Sequence, residues 1–169
     1  MATEAIEAEC RIDGIINNVG LYGGLASGKA DALDEQEWQR VMGVNVSGVW
    51  RCCKAVIPHM RDGGGGSIIN IASLAAVYGM PNALHYATSK AAVIGMTRSM
   101  ARELGRNWIR VNAIAPSAVM TEGTEEFFGE RLEQAKQIIA GGQSLQRNLE
   151  TDDLVGPVRY PLSDDSKFV

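Results

Sequence analysis

The sequence is poor in the residues that build metal centres and disulfide frameworks. Its cysteines are Cys10, Cys52 and Cys53, and its two histidines, His59 and His85, stand far apart. The cysteine count is odd, two are adjacent on a predicted helix, and none forms a C-x-x-C pair. These facts argue against a disulfide scaffold and a structural zinc site, and point to a reducing cytoplasm. No apolar run approaches the roughly 18–20 residues of a spanning helix, so no membrane partner is read. The opening MATEAIEAEC is acidic and lacks the basic-then-apolar pattern of a secretory leader. A net charge of −4 without a basic stripe excludes nucleic acid as a natural partner. Neither internal repeats nor a linker is visible, so residues 1–169 read as a single domain. That length buries roughly 70% of the unfolded chain's surface, and the 46% apolar content suits an ordinary globular protein.

What is present alternates strand and helix. "RIDGIINNVGLYGG", residues 11–24, is an apolar run ending in a polar, glycine-rich turn, the kind of strand end where open α/β folds bind ligands. A long helix is predicted from Asp34 to about residue 62, opened by a capping box between Asp34 and Glu37. "SIINIAS", residues 67–73, and "IRVNAIAP", residues 109–116, are further strands, separated by a helix over about 84–104. Crossovers of this length allow parallel pairing, and strands nearly free of charge suit a sheet covered on both faces. One amphipathic helix is predicted over 125–139, and a weaker one over 152–160 carries Pro157.

The chemistry concentrates in Ser73, Tyr86 and Lys90. Ser73 ends a strand, and Tyr86 and Lys90, four apart, share a helix face. A free phenol titrates near ~10 and exchanges protons poorly at neutrality. An ammonium beside it favours the phenolate, and a fall of ~3 units corresponds to about 4 kcal/mol. On this reading Tyr86 becomes a general acid or base, with the Ser73 hydroxyl holding the reacting oxygen. "GGLASGKA", residues 23–30, nearly spells a phosphate-binding P-loop. Ala30, however, stands where a Mg²⁺-binding hydroxyl is needed, and no helix starts at Lys29, so a surface loop is the better reading. His85 either lines the pocket or is simply packed.

"YATSK", "NNVG", "SIINIAS" and "VNAIAP", in order and at these spacings, resemble the short-chain dehydrogenase/reductase family over about residues 11–169. The likeness extends weakly to 3-oxoacyl-ACP reductase-like and 1-phenylethanol dehydrogenase-like members. It implies hydride transfer between NAD or NADP and a small alcohol or ketone. By this resemblance Tyr86 is the acid/base, and Lys90 lowers its pKa and binds the nicotinamide ribose. Ser73 stabilises the reacting oxygen, and Asn45 kinks the long helix and holds a relay water. Asn17 and Gly20 match the ribose-side turn, while Pro116, Val119 and Thr121 match the nicotinamide side. Ser117 replaces the family's usual glycine, so the turn after Pro116 is expected to differ.

The resemblance also implies an absence. The expected fold is an α/β, partial Rossmann-like doubly wound parallel sheet, the C-terminal part of the family fold. Its first βαβαβ half, with the glycine-rich pyrophosphate turn, and its last strand are missing, and no G-x-G-x-x-G occurs. An exposed strand edge then calls for a cover: a partner, a second copy or a rearranged N-terminus. In the family, helices corresponding to 34–62 and 84–104 form the dimer interface, so a homo-oligomer is expected. The alternative reading is an inactive oligomerising or binding module that cannot hold the dinucleotide.

Overall fold

A computed structural model of the protein describes residues 2–9 and 11–169, so Cys10 lies outside the described residues. After a short helix, α1 (Ala2–Glu9), the chain forms β1 (Gly14–Asn17), then α2 (Glu35–Met42) and α3 (Val49–Asp62). Next come β2 (Gly66–Ile71), α4 (Ala75–Tyr78), α5 (Leu84–Leu104) and β3 (Ile109–Ile114). The chain closes with α6 (Glu122–Phe128), α7 (Leu132–Gly141) and α8 (Val155–Leu162). The three strands form one parallel sheet in the order β1-β2-β3, with Ile15 opposite Ile68 and Ile68 opposite Val111.

Alternation along β2 explains why both faces are covered. Ile68 points into a core with Val49, Cys53, Val56 and Met60 of α3, Leu104 of α5, and Ile109 and Val111 of β3. Ser67 points the other way, where its hydroxyl donates to the Pro161 carbonyl of α8 at 2.7 Å. Helices therefore pack on both sides of a parallel sheet, the doubly wound arrangement expected from the sequence. Among the described residues β1 pairs only with β2, and Ile16 on it is 43% exposed.

The predicted helices hold with three corrections. The helix from Asp34 is interrupted by a π-helical turn at Gly43–Gly48, which carries Asn45. Its capping box is half formed. The Asp34 carboxylate accepts the Glu37 N–H at 2.9 Å, but the Glu37 carboxylate turns to the Arg40 guanidinium at 2.7 and 2.8 Å. The helix predicted over 125–139 is two helices, because Gly129 adopts φ 52° and a 3₁₀ turn at Gly129–Arg131 separates α6 from α7. Pro157 falls in the first turn of α8, where a missing N–H is tolerated. Ser117 is not among the residues with positive φ, so the turn after Pro116 is made without the left-handed glycine of the family pattern.

Candidate active site

The carboxyl ends of the three strands open into a cavity of about 1000 Å³, where Gly20, Ser73, Tyr86, Lys90, Pro116, Val119 and Thr121 all contribute to the wall. Each arrives by a local cause. Ser73 follows β2, and its hydroxyl caps the next turn by accepting the Ala75 N–H at 3.2 Å. Tyr86 and Lys90 come one turn apart from the first turns of α5. Thr121 is the N-cap of α6, its side chain accepting the Thr124 N–H.

Lys90 is buried, and its Nζ donates to the Ile71 carbonyl at 2.8 Å. Burial holds its ammonium down to about 8. The expected depression of the Tyr86 phenol is corrected by this geometry. Nζ lies 6.0 Å from the Tyr86 ring centre and is anchored to the main chain. The phenol instead sits above its ordinary value because burial disfavours the phenolate, while a hydrogen bond with Ser73 pulls the other way. Tyr86 is therefore a protonated donor at neutral pH.

Two other predicted residues turn away from the cavity. Asn45 is fully buried, accepts the Leu21 N–H at 2.7 Å, and donates to the Leu21 carbonyl at 3.2 Å and to Ser89 Oγ at 3.0 Å. It pins the turn after β1 from both sides, and Ser89 in turn donates to the Tyr86 carbonyl at 2.7 Å. Asn17 is also buried, donating to Asn70 Oδ1 at 2.8 Å and to Cys53 Sγ at 3.2 Å, while Asn18 and Gly20 face the cavity. Asn70 continues inward to Thr97 Oγ1 at 2.9 Å. His85 is packed, its Nδ1 accepting the Tyr86 N–H at 2.9 Å. Residues 23–30 remain a loop, tied down where the Gly28 N–H donates to the Asn82 carbonyl at 3.0 Å.

Sequence reasoning missed Tyr22, Ser89 and Asn70. A lone asparagine inside the isoleucine run of a buried strand was the available signal for Asn70, since a buried amide needs partners. Tyr22 stands beside Tyr86 with ring centres 6.2 Å apart.

The residues present fit the nicotinamide–ribose end of a dinucleotide. Among the described residues the Lys90 ammonium donates only to the Ile71 carbonyl and so keeps donors for hydroxyls, and a Cβ at Gly20 would come within 3.2 Å of Nζ, so glycine there leaves the ammonium uncovered. No pyrophosphate contact is assigned, because no G-x-G-x-x-G turn occurs in the sequence.

A parallel, doubly wound sheet with a serine, a tyrosine and a lysine converging at its carboxyl edge has the layout of a Rossmann-like α/β fold, whose crevice lies at the carboxyl ends of the strands. The profile of a family described as enoyl-(acyl carrier protein) reductase matches residues 1–169, and the chain belongs to the short-chain dehydrogenase/reductase family. It is similar to a probable galactose dehydrogenase of Rhizobium meliloti, 40% identical over 136 residues, covering 80% of this chain and 52% of that protein. Among solved structures it resembles levodione reductase, with a TM-score of 0.91 and 32% identity over 99% of this chain and 66% of that one. It also resembles an NAD+-bound xylitol dehydrogenase, with a TM-score of 0.88 and 30% identity over 99% of this chain and 68% of that one. The chain thus spans about half to two thirds of the length of these relatives.

Proposed function

We propose that the chain carries the proton-transfer site of an NAD(P)-dependent oxidoreductase acting on a small alcohol or ketone. The observation that carries this reading is the shared cavity wall of Ser73, Tyr86 and Lys90. When bound, NAD(P)(H) supplies or takes up the hydride. Tyr86, protonated at neutrality, donates its proton to the carbonyl oxygen and takes one back in the reverse direction. Ser73 holds that oxygen by a second hydrogen bond. Lys90, with Gly20, Pro116, Val119 and Thr121, would hold the nicotinamide riboside, and Asn45 keeps the Gly20 turn in place through Leu21. Two copies pair through the outward faces of α3 and α5, where Trp50 is 48% exposed with the Lys54 ammonium over its ring. Sedimentation at micromolar protein would show a monomer if this pairing were wrong.

The second reading is a binding module without turnover. Titration with NADH and NADPH, followed by cofactor fluorescence, separates the two. Binding together with ketone-dependent oxidation supports the enzyme, and no binding at millimolar cofactor supports the module. Given turnover, Tyr86→Phe should lower kcat by about 10²–10⁴-fold with cofactor affinity retained. Turnover that survives the change removes the phenol from the mechanism.

A further inference from the structure

We infer that Tyr22 is a positioning residue that latches the segment carrying Thr121 over the cavity. This rests on the reading of the cavity as a nicotinamide site. Three observations at one place carry it. The Tyr22 hydroxyl lies 3.0 Å from Thr121 Oγ1, a partner 99 residues away in the chain. Its ring stands against Tyr86, with centres 6.2 Å apart. The backbone beneath it is cut to receive it: a Cβ at Gly123 would come within 2.8 Å of the Tyr22 oxygen, and one at Gly23 within 3.4 Å of Gly123 Cα.

The hydroxyls form a chain whose direction is fixed. Thr124 Oγ1 donates its one proton to the Val119 carbonyl at 2.6 Å, so across the 3.2 Å contact it accepts from Thr121 Oγ1. Thr121 then has no proton left for Tyr22, and Tyr22 must be the donor. The run Tyr22 → Thr121 → Thr124 → Val119 carbonyl ties the turn after β1 to the first turn of α6. It spends the Thr121 hydroxyl within the protein and so fixes that side chain in the cavity wall. Removing the phenol proton unties the far end of this run and leaves the ring in place.

Hydrogen exchange on the full chain without cofactor tests the latch directly. In Tyr22→Phe the Thr124 and Glu125 amides, both bonded to Thr121, should exchange about 5–10-fold faster, with the thermal midpoint unchanged. Gly123→Ala keeps the hydroxyl but displaces the ring, and it should give the same local gain in a chain that still unfolds cooperatively. Unchanged exchange at these amides in both variants overturns the proposal. Where wild-type chain binds NAD(P)H, Tyr22→Phe should weaken binding about 5-fold and leave kcat within 2-fold. An equal fall in kcat would make Tyr22 part of the chemistry and also overturn the positioning role. If the wild type does not bind, the nicotinamide reading fails, while the exchange result still decides the latch.

Discussion

The two sides of the cavity are built differently. On the α5 side the polar groups that shape the site are fixed by buried protein partners: Lys90 by the Ile71 carbonyl, Asn45 by Leu21 and Ser89, Asn70 by Asn17 and Thr97. Behind them lies the apolar core around Ile68 and Met60. On the other side, residues 117–149 are two short helices, α6 and α7, held by the hydroxyl run at Thr121 and one bridge between Val119 and Leu149. Ile138, on α7, is 67% exposed. On the proposed reading, the difference separates tasks. Proton transfer needs groups held to a fraction of an ångström, whereas a wall that admits substrate needs a low-stability element.

The contrast breaks most readily under paired substitutions. Met60→Ala, at a site with no exposure, should cost about 2–5 kcal/mol in urea unfolding, whereas Ile138→Ala should stay within about 0.5 kcal/mol. Equal losses would mean that α7 shares the cooperative core. Asn45→Ala should come next, at roughly 1–3 kcal/mol, because it strands the Leu21 N–H and carbonyl without their partner. Its local signature is faster exchange of the Leu21 amide than of the Thr124 amide. The reverse order would show that the turn after β1 is held from the α6 side rather than by the π-helical turn.

The same division governs what could be read from sequence. Ser73, Tyr86 and Lys90 were legible because strand ends and helix spacing alone bring them together. Spacing could not say where the lysine's long side chain ends. Burial pushes the Tyr86 phenol above its ordinary value, and the lysine, reaching to Ile71, does not offset it. Gly129 was lost inside an amphipathic pattern that runs from Phe127 to Ile139, since periodicity registers the apolar stripe and not a single left-handed residue. Tyr22 had no local signal, because the partners that define it, Thr121, Gly123 and Tyr86, are distant in the chain. Asn17 was legible as a strand terminus. Its inward orientation toward Asn70 depends on pleat alternation counted across two strands.

Lys90 supplies the last effect and the sharpest sign. Burial lowers its folded-state value from 10.5 to about 8. Below pH 8 the amine is charged in both folded and unfolded chains, so the folded state bears the full burden of a buried charge. Between about 8 and 10.5 the folded chain sheds that proton while the unfolded chain keeps it, and above both values the burden is gone. The contribution of Lys90 to stability therefore rises with pH through this window, by up to about 1.4 kcal/mol per unit. Its contribution to binding runs the opposite way, because the ammonium that would grip the ribose is present below pH 8 and lost above it. Cofactor affinity should thus fall about tenfold from pH 7 to pH 9, while the unfolding free energy of wild type rises relative to that of Lys90→Met over the same range. Affinity that stays level from pH 7 to 9 would mean that the lysine grips through its neutral amine or not at all. A stability difference that falls with pH would place the charge in solvent rather than beneath the Ile71 carbonyl.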